Sequence, residues 1–170
     1  AAMPVESQVL RAAMRQWATG VTVVTTYHQG ALAGMTVSSF TSVALEPPTV
    51  LVCLNKDTYA HALVRQSGVY AISMLGQGQE ALSNRFAGID KTITDRFAGI
   101  AYTTAETGSP LLAGAIAWFD CAVVNSIETG THTIFIAEVI AAHSEPDLAP
   151  LLYHNRTYKR LVPTAEEGTG

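Results

Sequence analysis

Charge is what this sequence has least of. Lys and Arg number 10 and Asp and Glu 14 in 170 residues, so charged side chains make up 14%, against about a quarter in an ordinary soluble domain. The seven arginines and three lysines are scattered without a basic stripe, and the net charge is −4, which argues against nucleic acid as a partner. Long apolar runs are missing too. No uninterrupted stretch of about 18 apolar residues occurs, so no membrane-spanning helix is expected although 48% of the chain is hydrophobic. Low charge without a membrane segment points instead to a large buried interface, and a twofold homodimer is expected. Cysteine is nearly absent. Cys53 and Cys121 lie in apolar runs and read as buried free thiols in a reducing cytosol, with no CxxC neighbour. The first residues lack the charged and apolar regions of a signal peptide, so a cytoplasmic protein is expected.

The signatures of several chemistries are also missing. There is no GxxxxGK[ST] phosphate loop and no GxSxG elbow for a serine nucleophile. The histidines at 28, 61, 132, 143 and 154 show neither HExxH spacing nor a Cys/His metal pattern, so no metal is expected. Gly76-Gln-Gly-Gln-Glu-Ala81 matches G-x-G-x-x-A, but the βαβ alternation that gives that fingerprint its meaning is missing around it.

What is present is mainly strand. Leu10, Ala13, Met14 and Trp17 fall at i, i+3, i+4 and i+7, which predicts a helix over 5–17 whose apolar stripe packs in the core or against a second copy. Val21–Tyr27, Thr49–Leu54 and Val69–Leu75 are β-branched or apolar runs and read as strands. Gln29-Gly30 reads as a turn, and Pro47-Pro48, unable to donate to a ladder, mark the start of a strand. Helices are predicted near 58–66, capped by Asp57 or Thr58, and near 77–86. Residues 87–100 read as an irregular polar connection of the kind that carries function. Gly108-Ser-Pro110 reads as a turn leading into Leu111-Leu112. Residues 115–127 and 133–142 form two long strands joined by a hairpin at 128–132. Arg85-Phe-Ala-Gly-Ile89 is echoed once, at Arg96-Phe-Ala-Gly-Ile100, too briefly to mark a repeat architecture. Residues 5–162 thus read as a single domain, mainly β with helical insertions, and 163–170 as a flexible tail.

One stretch stands out. Gly34-Met-Thr-Val-Ser-Ser-Phe-Thr-Ser-Val-Ala-Leu-Glu-Pro-Pro48 places five hydroxyls, those of Thr36, Ser38, Ser39, Thr41 and Ser42, in seven residues. Two readings fit: a strand with a polar face, or a wall of donors for one polar ligand. Together with Ala18-Thr-Gly-Val-Thr-Val-Val-Thr-Thr26, Leu54-Asn-Lys-Asp-Thr58, Ser73-Met-Leu75, Arg85-Phe86, Gly108-Ser-Pro-Leu-Leu112, Gly130-Thr-His132 and Pro150-Leu-Leu-Tyr153, it resembles the short-chain flavin reductases. These are the reductase components of two-component flavin-dependent monooxygenases, such as those acting on phenols and 4-hydroxyphenylacetate. The likeness spans about residues 9–160.

The resemblance implies a flavin-binding split β-barrel, a homodimer, and FAD or FMN reduced by NADH or NADPH for a partner monooxygenase. Its flavin contacts fall on Thr36, Val37, Ser38, Ser39, Phe40, Ser42 and Val43. Asn55, Lys56, Asp57 and Thr58 fall at the phosphate end, where a lysine and a helix start suit an anion. Arg85 and Phe86 match a second flavin contact, and His132 matches a histidine near the nicotinamide. Tyr153 approaches the same pocket, with His154 and Arg156 beside it. Read without the resemblance, Lys56 is a solvated lysine, Phe86 a core residue and His132 a turn residue. Thr131 stands where many relatives carry an acidic residue. Two other functions are compatible with the same likeness: a flavin carrier without a nicotinamide site, and a flavin-dependent corrinoid or metal reductase.

Overall fold

The computed structural model describes residues 2–164. In chain order the elements are α1 (Ser7–Met14), β1 (Thr19–Gly20), β2 (Thr22–His28), β3 (Ala31–Val37), β4 (Thr41–Leu45), β5 (Pro48–Asn55), α2 (Tyr59–Ser67), β6 (Val69–Met74), α3 (Glu80–Ala87), β7 (Tyr102–Thr104), β8 (Pro110–Leu112), β9 (Ala117–Thr129), β10 (His132–Ser144), β11 (Leu152–His154) and β12 (Thr157–Lys159). The fold is mainly β with three helices among the described residues. The frayed tail expected from Pro163 onward lies, from 165 on, outside them.

Seven strands form one antiparallel sheet in the order β3-β2-β6-β9-β10-β5-β4. The two edge strands, β3 and β4, are consecutive in the chain and are joined by Ser38–Phe40 alone. Four Cα steps reach about 15 Å at most, whereas seven flat strands at their usual spacing would hold their edges about 29 Å apart. The sheet therefore cannot lie flat. It curls until its edges approach, the direction in which strand twist already biases it. No ladder joins β3 to β4 among the described residues, so the sheet is curled without being closed.

The curl explains why β2 reads as a continuous buried run. Val24 points into the curl, in a cluster with Val52, Leu54, Tyr70, Ile72 and Phe135. Val23 points the other way, into a second cluster with Leu75, Phe86, Leu112 and Leu151 under α3. Successive side chains thus meet two different cores, and neither face is left for solvent.

Several expectations shift in detail. The first helix is shorter than 5–17, and none of its residues is buried. Leu10 is 55%, Met14 55% and Trp17 68% exposed, so the stripe serves no core within the protomer. Thr58, not Asp57, caps α2: its hydroxyl accepts from His61 N at 3.2 Å. The third helix begins at Glu80, because Gly76 instead forms a bridge to Pro150. Cys121 is buried and Cys53 only half-buried, both as free thiols. Burial and the nearby Asp120 push the Cys121 thiol up to about 12, which leaves it inert. No helix among the described residues is long and apolar enough to cross a membrane.

Candidate functional site

The hydroxyl-rich stretch is the seam across which the sheet edges meet, and its hydroxyls divide into two sets. Thr36 Oγ1 donates to Ser83 O at 2.7 Å, tying β3 to α3. Ser39 Oγ donates to Cys53 O at 2.8 Å and accepts from Cys53 N at 3.2 Å, so one side chain continues the β4–β5 pairing beyond its last ladder pair, Thr41 with Leu51. These two hold the seam in place. Ser38, Thr41 and Ser42 are exposed, and among the described residues none of their hydroxyls has a hydrogen-bond partner. Phe40 stacks on Phe119, ring centroids 5.7 Å apart, and anchors the crossing segment to the core. Val43 lies exposed on β4 beyond the crossing.

Beside the seam, Asn55–Thr58 is folded onto itself. Asn55 Oδ1 accepts from Asp57 N at 2.9 Å, and Thr58 Oγ1 donates to Asn55 O at 2.7 Å. This aims the first turn of α2 at a cavity of about 500 Å³ lined by Thr36, Asp57, Thr58, Phe86, Arg96 and Phe97, among others. The N–H groups of Tyr59 and Ala60 open that turn and have no intrahelical acceptor, an arrangement that suits an anion. Lys56 is turned elsewhere: its Nζ lies 3.2 Å from Glu128 Oε2, and Glu128 Oε1 also takes Arg65 Nη1 at 2.6 Å. Hydrogen bonds from Lys56 and Arg65 hold the Glu128 carboxyl below its usual range. A phosphate that recruited Lys56 would therefore compete with Glu128.

Phe86 and Arg85 fill different roles. Phe86 is fully buried and lines the cavity. The Arg85 guanidinium is committed to backbone: Nε donates to Arg96 O at 2.8 Å, and Nη2 donates to Ala98 O at 2.6 Å and Asp95 O at 3.4 Å. Arg96 answers in kind, its Nη1 donating to Phe86 O at 2.8 Å and Gly34 O at 3.2 Å. Phe86 and Phe97 meet edge to face at 5.1 Å. The echoed five-residue segments thus interlock, and the second copy forms the outer wall of the cavity. Arg96 and Phe97, with Tyr59 and Ala60 on the first turn of α2, are candidate site residues that sequence reading missed; the echo was the available signal for the first two.

His132 opens β10 opposite Asn55, with Nδ1 2.8 Å from Thr131 Oγ1. It borders the Asn55–Thr58 turn, since Lys56 N donates to Thr131 O at 2.9 Å, but it lines none of the described grooves. Tyr153 pairs with Thr19 across the β1–β11 ladder and lines a groove of about 340 Å³ with Thr36, Val37 and Ser38. A further groove of about 350 Å³ runs along Ser38, Phe40 and Thr41 to Trp17 and Met74. Most of the expected residues therefore surround the seam from three sides, whereas Lys56, Arg85 and His132 stand behind it or at its margin.

A family model for the flavin reductase like domain matches residues 14–162. The chain belongs to the flavin reductase-like family. Among its flavin reductase-like relatives is the FMN reductase (NADH) RutF of Ancylobacter novellus, 40% identical over 156 residues, covering 92% of this chain and 86% of the relative. The reductase component of 4-nitrophenol 4-monooxygenase/4-nitrocatechol 2-monooxygenase from Rhodococcus opacus is 38% identical over 160 residues, 94% of this chain and 84% of that one. The solved structure of the NADH:FAD oxidoreductase of Streptomyces globisporus, in complex with NAD and FAD fragments, superposes with a TM-score of 0.87 at 38% identity, covering 97% of this chain and all of that one. Homologues of this flavin reductase-like chain are thus NADH-dependent FMN and FAD reductases, one of them a monooxygenase component.

Proposed function

We propose that this protein is an NAD(P)H:flavin oxidoreductase that reduces FAD or FMN and supplies the reduced flavin to a separate oxygenase. The observation that carries the reading is the seam, which has on one side a cavity walled by Thr36, Phe86 and the open first turn of α2, and on the other a groove along the uncommitted hydroxyls of Ser38 and Thr41. Such a donor set fits a flavin, which presents carbonyl and ring-nitrogen acceptors along one edge and a phosphate at the end of its chain. When bound, the flavin supplies the hydride-accepting centre, and the transfer from nicotinamide is the cofactors' own chemistry. The protein's part is to bind and orient. Thr36 and Ser39 hold the seam rigid, Ser38, Thr41 and Ser42 would donate to the polar edge of a bound flavin, and the Tyr59 and Ala60 N–H groups would take its phosphate. Phe86 and Phe97 exclude water from one side.

Steady-state oxidation of NADH, with and without added FAD or FMN, tests this reading directly. Flavin-dependent turnover is expected, and its absence with either nicotinamide donor would sink the reductase assignment in favour of a flavin carrier. His132 stands at the margin of the site, and His132→Ala is expected to raise the KM for the nicotinamide donor more than the Kd for flavin. An unchanged KM removes it from the donor site.

The exposed stripe Leu10, Met14 and Trp17 supports a homodimer in which α1 packs on the partner protomer. Sedimentation equilibrium of the wild-type chain and of Met14→Glu/Trp17→Gln tests it. A wild-type monomer at micromolar concentration contradicts the dimer.

A further inference from the structure

Helix α3 has little to hold it. With 8 residues it is too short to stand alone, so its pose comes from its contacts. Only Ser83 and Phe86 among those residues are buried. Phe86 packs in the second core cluster and walls the cavity at the seam. Ser83 is therefore the one buried polar side chain of the helix, and both its hydroxyl and its carbonyl are engaged outside α3.

Ser83 O accepts from Thr36 Oγ1 at 2.7 Å, the bond that ties β3 to the helix. Ser83 Oγ lies 2.8 Å from the Tyr158 hydroxyl on β12, and that hydroxyl lies 2.6 Å from Asn84 Oδ1. A phenol carries a single proton and an amide oxygen only accepts. Tyr158 therefore donates to Asn84 and takes its other bond from the Ser83 hydroxyl. Two adjacent residues of α3 are thereby held at one point of β12, which opposes both rotation of the helix and sliding along its axis. Tyr158 is itself fixed, half-buried against the second core cluster, with its ring edge to face with Tyr153 at 5.3 Å. A path of hydrogen bonds thus runs from the β11–β12 hairpin through one serine to Thr36 on β3. Thr36, Ser83 and Tyr158 line the same groove as Ser38, whose hydroxyl is free.

We propose that Tyr158 is a positioning residue for flavin binding. Through Ser83 it sets the pose of α3, and with it the placement of Thr36 beside the donor wall. Its hydroxyl is spent within the protein, so it acts through the helix and not on the ligand. The inference rests on the reading of the seam as the flavin's wall.

Tyr158→Phe keeps the ring against Tyr153 and removes the hydroxyl, and Ser83→Ala cuts the same link from the other side. The Kd for riboflavin and for FMN is read by fluorescence titration well below the thermal midpoint of every variant, so that unfolding does not enter. Each variant is expected to raise Kd about fivefold, the scale of one hydrogen bond. The two flavins are expected to lose equally, because the α2 turn that would take the phosphate is not on this path. The double variant is expected within about twofold of either single one, and Tyr158→Phe in a Thr36→Val background is expected to change Kd by less than about twofold. A wild-type Kd in Tyr158→Phe, with or without a lowered thermal midpoint, overturns the proposal and leaves the tyrosine a structural residue. Losses that multiply in the double variants, or that are confined to FMN, overturn it as well. Flavin binding by the wild-type protein without NADH oxidation would overturn the reductase reading alone. Absence of flavin binding in the wild-type protein would overturn both.

Discussion

Arg85 and Arg96 occupy the same position in two copies of one five-residue sequence, and each donates to backbone carbonyls of the other copy: Arg85 to Arg96 O and Ala98 O, Arg96 to Phe86 O. Arg96 reaches further, to Gly34 O on β3. The clasp turns a connection rich in polar residues into a fixed wall for the cavity. Gly88, at φ +66°, lies under the Arg96 guanidinium, where any Cβ would collide with it. Removing one partner leaves half-buried carbonyls unpaired. Arg96→Ala is therefore expected to lower unfolding free energy by about 1.5–3 kcal/mol, and Arg96→Lys to recover only part of it, because the shorter lysine side chain does not carry its ammonium to where Nη1 meets both carbonyls. Urea denaturation of the two variants checks this. Full recovery in Arg96→Lys would show that the guanidinium itself is not required, and no loss in Arg96→Ala would show that the clasp is unimportant.

Gly34 and Phe86 are coupled by contact. A Cβ at Gly34 would lie 2.7 Å from Phe86 Cε1 and 3.2 Å from Phe97 Cζ. Gly34→Ala should destabilise through this overlap by about 1–3 kcal/mol. Phe86→Leu alone should also destabilise, by leaving space in the second core cluster. In the double variant the smaller side chain makes room for the methyl, so the combined loss is expected to be less than the sum. Strict additivity would disprove the close approach.

Lys56 and Glu128 offer a direct reading of the phosphate end. If the lysine leaves Glu128 to meet a flavin phosphate, Lys56→Ala weakens FMN and FAD far more than riboflavin, and Glu128→Gln tightens the phosphorylated flavins about threefold to tenfold. Fluorescence titration of all three flavins distinguishes the outcomes. Equal changes for riboflavin and FMN would show that the lysine belongs to the hairpin alone.

His61 sets a pH dependence of stability. It is buried, its Nε2 lies 2.8 Å from Thr133 Oγ1, and it packs on the Phe135 ring at 5.3 Å. Burial lowers its pKa below the ordinary 6.5; Arg65 and Lys56 lower it further, and Glu128 partly offsets them. The unfolded chain therefore takes up the proton first. Stability should be level above about pH 6.5 and fall as pH drops from there through the lower folded value. His61→Gln, which keeps a hydrogen-bonding partner for Thr133, should flatten that slope between pH 7 and 5.5. A wild-type midpoint in urea that stays constant over the same interval contradicts the assignment.

Local chemistry made much of this legible in advance. β-branched runs dictated β2, β5 and β6 because their side chains fit a pleated surface whatever they pack against, and Asp57-Thr58 announced α2 because a cap acts within one turn, although only the structure chose Thr58. The density of hydroxyls from Thr36 to Ser42 marked the candidate site for the same reason: residue type and spacing are local facts. The division of labour within that stretch was not local. Ser39 became a surrogate strand residue, and Ser38 a free donor, only because the sheet curls and brings its two edges to that point. The partners of Lys56 and Arg85 were equally hidden, since Glu128 and Arg96 reach them through the fold. Thr36, Ser83 and Tyr158 lie far apart along the chain, and only the packing of β3 and of the β11–β12 hairpin on α3 puts them in one path. Composition and periodicity determine which groups are available and in what secondary structure. Which of them are consumed in holding the fold and which remain free for a ligand is decided by contacts between distant segments, and those exist only once the sheet has curled.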